Sequence, residues 1–427
     1  MINKNLSENR RAKKNSGITL IALVVTIVVL IILATVSILA VFGDNGIIAR
    51  AQTAKDTHEK GKADETNTLD DYASYIGNYL DGKGGGSGGG SDTPKDPTEK
   101  WNLDKVNKVK SEDNIVVPVP KGYTASTVEG EKSVSSGFVI KEGSNGAATE
   151  GINEFVWVPV GNIADIYDEA NNAGQLWVFS GTTSTKKTYP TTKNSGFREP
   201  DVVTGASSGS DSSGGSNYDA VSTNLQEAGL SSTATVSDFK AQLQNEFNEM
   251  IKSVKTYGGF YIGRYETGNL NSTKAVVQKD NTNINNQTWY TMYKVCKTIK
   301  ANENVATSML WVCQWDATLR WMQTSSNSDV ANFPTNSEGK GNYSGTQGDT
   351  NAPIPTGSNS SYSVNNIYDM AGNVYDWTIG AYYTSTRVRS GGNYNIAASN
   401  YPASNRRSSF PTTSDSYDGC RSTLYVK

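Results

Sequence analysis

An uncharged run of 25 residues near the N-terminus, from Ile18 to Phe42, constrains this chain more than any other feature of its sequence. As an α-helix rising about 1.5 Å per residue, it would be about 37 Å long, which is enough to cross a bilayer. A basic cluster that includes Lys13 and Lys14 precedes it, and such clusters stay cytoplasmic. A secretory signal has a shorter apolar core, of about 7–15 residues. The run therefore predicts a membrane segment over residues 18–42, with the rest of the chain outside the cell.

The residues at the start of this run resemble the processing site of type IV prepilins and pilin-like proteins. Residues 13–23 read KKNSGITLIAL. The resemblance implies a leader over residues 1–17, which a prepilin peptidase removes by cutting after Gly17, and methylation of the new N-terminal Ile18. It also implies a pilin-type helix over residues 18–80 that packs against other pilin subunits. The family usually has Glu where this chain has Ala22, so filament incorporation stays open, and a plain anchor is the alternative.

A glycine-rich linker over residues 81–100 separates this region from the rest of the chain, because GKGGGSGGGSDTPKDP is a flexible composition with a stiffer end. From residue 101 onward, short β-type runs alternate with polar loops and a few helical spacings. This pattern predicts an α+β domain over residues 101–427. The predicted strands are Ile115–Val119, Gly137–Ile140, Glu154–Pro159 and Gly258–Tyr265, and the predicted helices are Asp238–Thr256, Thr288–Lys300 and Leu310–Met322. After Thr324 the periodicity is lost, which predicts long polar loops.

Charge and rare residues exclude several classes of function. The chain has 39 Lys and Arg against 42 Asp and Glu, so it lacks the basic excess of a nucleic-acid-binding protein. His58 is the only histidine, which excludes histidine metal cages and histidine-dependent triads. Three cysteines, Cys296, Cys313 and Cys420, are too few for a disulfide scaffold. A Cys296–Cys313 disulfide and free thiols packed as small apolar side chains are both open alternatives.

Four segments resemble, in the right order, those of the formylglycine-generating enzyme family. They are GGFYIGRYET (258–267), SMLWVCQWDAT (308–318), IYDMAGNVYDW (367–377) and RSGGNY (389–394), with GCR at 419–421. The third matches its family motif almost residue for residue. The resemblance implies a C-type-lectin-like fold of the sulfatase-modifying-factor kind over about residues 110–427.

The same resemblance implies a calcium ion between residues 369 and 376. Its ligands would be the carboxylates of Asp369 and Asp376 and the carbonyl oxygens of Gly372 and Val374, which are the oxygen ligands that calcium prefers. The alternative is that the two aspartates only cap turns.

Catalysis of the family's kind is not expected. The family's enzymes bind copper through two cysteines just after the RGG-type segment, whereas no cysteine lies between Gly391 and Asp418 here. Copper(I) requires soft ligands such as thiolate. The sequence therefore predicts a protein that holds no copper and is not an enzyme.

Residues 393–418 have the composition of a binding surface, because Tyr, Asn, Ser, Thr and Asp are interleaved with Arg and aliphatic residues are scarce. The segment also resembles the variable region of diversity-generating retroelement proteins, which implies a variable region over residues 389–421. An ordinary polar loop is the alternative. The segment lacks helical or strand periodicity, so most of its side chains are expected to project from loops. The predicted ligand-binding residues are Tyr394, Asn395, Ile396, Asn400, Tyr401, Arg407, Ser408, Ser409, Asp415, Ser416, Tyr417 and Asp418.

Together these features predict a pilin-anchored, surface-displayed ligand-binding protein of the adhesin or receptor kind. The expected partner is an extracellular protein or a glycan, and no nucleic acid is expected. The precursor would lie in the cell membrane with its C-terminal domain outside, and the mature form at the cell surface or in a pilus. A structural minor pilin with an inert cap and a formylglycine-generating-type oxidase are the alternatives.

Overall fold

The structure, a computed structural model, describes residues 97–143, 146, 151–187, 197–205, 218–269, 274–299, 302–325, 330–345 and 351–427. These residues belong to the second of two compact units, Leu69–Lys427. The predicted leader (1–17), the cleavage site at Gly17 and Ile18, the pilin-type helix (18–80) and the linker up to residue 96 lie outside them. Within the described part of the chain, no helix is both long and apolar enough to cross a membrane.

Strands outnumber helices among the described residues. In chain order the strands are β1 (Val106–Lys110), β2 (Val116–Pro120), β3 (Tyr123–Ala125), β4 (Val139–Glu142), β5 (Glu154–Pro159), β6 (Tyr167–Asp168), β7 (Ala173–Gly174), β8 (Leu176–Ser180), β9 (Thr183–Lys187), β10 (Phe197–Arg198), β11 (Gly259–Gly263), β12 (Gly268–Asn269), β13 (Ala275–Val276), β14 (Val305–Met309), β15 (Ser363–Val364), β16 (Ile367–Tyr368), β17 (Tyr375–Tyr382), β18 (Thr386–Ser390), β19 (Arg406–Ser409), β20 (Asp418–Cys420) and β21 (Ser422–Val426). The helices are α1 (Ser222–Glu227), α2 (Val236–Tyr257), α3 (Trp289–Cys296) and α4 (Val312–Thr324). This part of the chain is a mixed, strand-rich fold, which confirms the predicted α+β class for it.

A six-stranded antiparallel sheet and helix α2 form the larger part of the core. The strand order is β14–β21–β11–β5–β4–β3. Helix α2 is preceded by a capping box between Thr235 and Asp238 and is followed by the capping residue Gly258, whose φ of +80° suits a helix C-terminus. Its apolar stripe, which includes Phe239 and Phe247, is buried, and the helix packs against β11 and β21. Burial of this stripe holds the helix on the sheet.

A buried polar network joins β11 to the segment between β16 and β17. The side-chain amide of Asn373 donates to Glu266 Oε2 (2.6 Å), and its oxygen accepts from the backbone N–H of Ile354 (2.9 Å). Burial raises the pKa of Glu266 well above its usual value, and the nearby Asp369 adds to this effect. Gly372 has a φ of +72°, and a Cβ there would lie 2.4 Å from the carbonyl oxygen of Asn342. The AGN part of this motif therefore serves the fold.

A five-stranded sheet carries the C-terminal segment. Its order is β10–β17–β18–β19, with β20 parallel to β17. The prediction of polar loops after Thr324 is wrong for this sheet. Nearly all of β17 is buried, so its sequence does not alternate between apolar and polar residues. In β18, the buried Arg387 forms an ion pair with Asp219 and lies 4.2 Å from the ring centroid of Trp289, which no local pattern indicates.

The elements predicted before Thr324 are largely confirmed. Strand β5 has the predicted bounds, and β2, β4 and β11 overlap the predicted segments. Helix α2 is three residues longer than predicted, and α4 begins two residues later. Helix α3 ends at Cys296, although the prediction extended it to Lys300. These elements form where the apolar spacing is regular.

Candidate functional site

The predicted ligand-binding residues occupy a loop before β19, strand β19 itself and a loop after it. Three of them, Asn395, Asn400 and Arg407, are exposed. Those that are partly buried are Ile396, Tyr401, Ser408, Ser409, Asp415, Ser416 and Tyr417. Most of the predicted set is therefore accessible at the surface.

At three places the predicted residues do not project from loops. Arg406–Ser409 is a strand that pairs with β18. Asp418 is fully buried and accepts two hydrogen bonds, of 2.5 and 2.7 Å, from Nη1 of Arg389. Burial raises the pKa of Asp418 to about 6, and the Arg389 guanidinium opposes this rise. The ring of Tyr394 is also buried, with its hydroxyl 3.0 Å from Oγ of Ser416.

Strand β19 sends its side chains to two different surfaces. In the antiparallel register, Arg407 lies opposite Arg389 and Ser408 lies opposite Val388. Opposed residues share a face and consecutive residues alternate. Arg407 and Ser409 therefore lie on the face of Arg389, while Arg406 and Ser408 lie on the face of Val388.

The first surface, here termed the tyrosine–arginine face, consists of Arg389, Tyr401, Arg407 and Tyr417, with the buried ring of Tyr375 beneath them. The Arg389 guanidinium lies 4.7 Å from the ring centroid of Tyr375 and 5.6 Å from that of Tyr417. The Arg407 guanidinium lies 4.6 Å from the Tyr401 ring, and the rings of Tyr375 and Tyr401 meet edge to face at 6.5 Å. Burial raises the pKa of Tyr375 and of Tyr417, so both stay neutral hydrogen-bonding groups. Such clusters of Tyr and Arg are typical of the energetic centres of binding interfaces.

The second surface is a cleft with a volume of about 680 Å³. Its floor is apolar, with Leu176, Phe197 and Val388 buried, and its rim is polar and basic. Arg406 at the rim donates to the carbonyl oxygen of Trp177 (2.6 Å) and is paired with a buried aspartate of α4. The cleft is lined by Leu176, Lys187, Phe197, Tyr382, Val388, Asn400, Pro402, Ser404, Asn405, Arg406, Arg407 and Ser408. The predicted segment thus borders two chemically different surfaces.

Side chains from other parts of the fold hold the backbone of the loop before β19. The hydroxyl of Tyr343 lies 3.1 Å from the carbonyl oxygen of Gly391 and 2.8 Å from that of Tyr401. The indole N–H of Trp315 donates to the carbonyl oxygen of Ala403 (3.0 Å). The predicted segment is therefore a set of accessible side chains on a fixed backbone.

The loop after β19 is anchored in the same way. The backbone N–H of Asn286 donates to the carbonyl oxygen of Asp415 (3.0 Å), and the amide of Asn285 donates to that of Ser416 (3.2 Å). These anchors were missed from sequence, because no motif marks them. By contrast, Tyr375 lies in the IYDMAGNVYDW motif and Arg389 in the RSGGNY motif, so the sequence motifs could have marked both residues as part of this site.

The two aspartates of the expected calcium site face protein donors. The side chain of Arg421 is fully buried, and its Nε lies 3.1 Å from Oδ2 of Asp376. Oδ2 of Asp369 accepts from the hydroxyl of Thr356 (2.9 Å) and the N–H of Gly357 (2.8 Å). Burial raises the pKa of Asp376 to about 6, against the effect of Arg421, and burial also raises that of Asp369.

A guanidinium group occupies this oxygen-rich position. Arg421 also donates to the carbonyl oxygens of Gly263 (3.0 Å), Tyr368 (2.8 Å) and Asp369 (3.1 Å). Among the described residues, no group of three or more His, Cys, Asp or Glu side chains could hold a metal ion. The N–H of Val374 faces a carboxylate oxygen of Glu266 at 3.4 Å. The contacts of Asp376 with Arg421, and of Asp369 with Thr356 and Gly357, favour the alternative in which the two aspartates serve the fold.

We expect a chelator to leave the melting temperature of the protein unchanged, because Arg421 already supplies the positive charge beside Asp376. The measurement is differential scanning fluorimetry of the full-length protein in calcium and in excess EDTA. A melting temperature that falls on chelation, with no such fall in Asp376→Ala, would show instead that calcium binds here.

Comparison with solved structures finds several that are similar to this chain at low sequence identity. PvdO from Pseudomonas aeruginosa is 14% identical, and the match covers 40% of this chain and 82% of that one with a TM-score of 0.28. CarF is 14% identical over 40% of this chain and 87% of its own, with a TM-score of 0.29. Treponema denticola variable protein 1 is 15% identical over 66% of this chain and 98% of its own, with a TM-score of 0.26. At these TM-scores, no property of these proteins is assigned to this chain. No protein-family model matches the sequence, and no curated protein matches it.

Proposed function

We propose that this chain is a surface-displayed ligand-binding protein and that the tyrosine–arginine face binds the ligand. The observation that carries the proposal is the combination of accessible Tyr401, Arg407 and Tyr417 side chains with a backbone held by buried residues such as Tyr343. A fixed backbone lowers the entropy lost on binding, and Tyr and Arg are the residues that concentrate interface energy. The protein holds its partner and performs no catalysis.

The partner we propose is an extracellular protein or a glycan that presents an acidic group. The charge of Arg389 is balanced by Asp418, whereas Arg407 is exposed at the edge of the face. A guanidinium pairs well with carboxylate or sulfate oxygens, and the flat tyrosine rings provide apolar contact area beside it. The same properties suit an acidic protein surface and an acidic sugar.

The proposal includes a C-type-lectin-like fold for residues 101–427 and a variable region over residues 389–421. The motif order and the composition of residues 393–418 support both. It also includes anchoring by the pilin-type N-terminus in the membrane, with prepilin peptidase and other pilin subunits as further partners. An inert cap on a minor pilin is the alternative function.

The test of ligand binding is a screen of the full-length protein on an array of purified extracellular proteins and glycans. We expect retention on at least one array member, with a preference for acidic ones. The matched control is the same protein with Tyr401, Arg407 and Tyr417 replaced by alanine. The inert cap is the correct function if nothing is retained, and the face is wrongly placed if the control is retained equally.

We expect the mature protein to begin at Ile18 with a methylated amine, because Gly17 allows a backbone conformation at the cut that other residues resist. The measurement is intact-mass and N-terminal peptide mass spectrometry of protein from the cell surface fraction. The Gly17→Val precursor should remain uncut. A wild-type protein that retains residues 1–17 would identify the N-terminus as a plain anchor.

A further inference from the structure

Two of the three cysteines meet in the interior of the domain. Cys296 ends α3 and Cys420 ends β20, and their Sγ atoms are 3.5 Å apart. Both side chains are buried, with exposed fractions of 0 and 1%. Cys313 instead lies at the start of α4, where its thiol and its backbone N–H contact the carboxyl group of Glu199. The pairing that the sequence left open, Cys296 with Cys313, is therefore not the one that the fold brings together.

We propose that Cys296 and Cys420 form a disulfide bond in the mature protein. At 3.5 Å the two sulfur atoms are already in contact, and a disulfide bond of about 2.05 Å needs a further approach of about 1.5 Å. Cys296 ends its helix, where the backbone adjusts more readily than in the helix interior. Disulfides persist outside the cell, so the inference rests on the surface location in the proposed function.

The reaction is thiol–disulfide exchange, with a disulfide-bearing protein or small molecule as the oxidant. One cysteine thiolate attacks the oxidant disulfide, forms a mixed disulfide and releases one oxidant thiol. The second cysteine thiolate then attacks the protein sulfur of that mixed disulfide and releases the other oxidant thiol. The protein loses two electrons and two protons, and the oxidant gains them. Because both thiols are buried in the folded domain, the exchange takes place while the chain folds.

This bond would brace the base of the tyrosine–arginine face. Its two ends are 124 residues apart in sequence, so it restricts a long loop of the unfolded chain. Asp415 and Ser416, just before β20, are hydrogen-bonded to Asn286 and Asn285, just before α3. The backbone N–H of Trp289, at the start of α3, donates to the carbonyl oxygen of Pro411 (2.9 Å). The disulfide would therefore link covalently the two segments that these hydrogen bonds already join.

The direct test is peptide mapping of full-length protein from the cell surface. The protein is denatured in iodoacetamide without reductant, digested and analysed by mass spectrometry. We expect a cross-linked peptide pair containing Cys296 and Cys420, and alkylated Cys313. Three alkylated cysteines, or any cross-link to Cys313, would overturn the proposal. Because the mapping uses the wild-type protein, its result does not depend on whether any variant folds.

A second test compares thermal unfolding of the intact protein with that of protein reduced in denaturant and refolded with reductant present. Reduction is expected to lower the melting temperature of the wild type by roughly 5–10 °C. Cys313→Ala, the matched control, should keep this sensitivity, and Cys296→Ala should lose it. A wild-type melting temperature that does not respond to reductant contradicts a stabilising cross-link.

Failure of the disulfide and failure of the proposed function give different results. Protein with three free thiols that still binds an array member overturns only the disulfide. Protein with the cross-link that binds nothing on the array overturns only the ligand-binding function.

Discussion

Replacing Arg421 with methionine is expected to lower the free energy of unfolding of the C-terminal domain by about 3–5 kcal/mol. The side chain is fully buried and makes an ion pair with Asp376 and hydrogen bonds to three carbonyl oxygens. Methionine fills a similar volume but leaves the carboxylate and these oxygens without their donor. A buried charge without a partner destabilises the folded state by more free energy than the ion pair contributed to it, so the expected decrease in the free energy of unfolding is large.

Guanidinium-induced unfolding followed by tryptophan fluorescence measures this effect. All eight tryptophans lie between residues 101 and 377, so the signal reports on this domain in the full-length protein. The matched control is Arg407→Met, which changes an exposed arginine and should alter stability by about 0.5 kcal/mol or less. Equal free energies of unfolding for the two variants would show that the buried contacts of Arg421 do not stabilise the domain.

Replacing Tyr401, Arg407 and Tyr417 together with alanine is expected to weaken ligand binding about a thousandfold. Two interface anchors of about 2 kcal/mol each already account for about 4 kcal/mol, which corresponds to that factor. Arg407 is exposed and the two tyrosines are partly buried, so the domain should remain folded. Titration against the ligand identified on the array measures the change, and circular dichroism verifies the fold.

Two controls distinguish the binding surface from its alternatives. Lys187→Ala changes the exposed rim of the cleft, which Arg407 also lines, and should leave binding intact; a loss there, with binding retained when only Tyr401 and Tyr417 are replaced by alanine, would place the ligand in the cleft instead. Gly392→Ala should destabilise the domain as well as abolish binding. Its φ is +99°, and a Cβ would lie 2.5 Å from the carbonyl oxygen of Tyr401. Loss of fold in the triple variant itself would mean that these side chains belong to the core.

Local patterns in the sequence were sufficient for the elements of the six-stranded sheet and its helix. The spacing of Phe239, Leu243 and Phe247 predicted α2 because a helix that buries one stripe must repeat its apolar residues every three or four positions. The composition of residues 393–418 likewise predicted an accessible polar segment, and most of its proposed binding residues are at least partly exposed. Such features depend on neighbours a few residues apart.

Which of the charged, polar and cysteine side chains are buried, and which groups they contact, depends on the tertiary structure. The sequence predicted Asp418 as a surface carboxylate, whereas the fold pairs it with Arg389. It predicted Asp376 as a metal ligand, whereas the fold pairs it with Arg421. Strand β19 is polar, yet its pairing with β18 divides its side chains between two surfaces. The approach of Cys296 to Cys420 joins positions 124 residues apart. Burial of a charge or a thiol depends on a partner brought by the fold, and sequence spacing carries no information about such a partner.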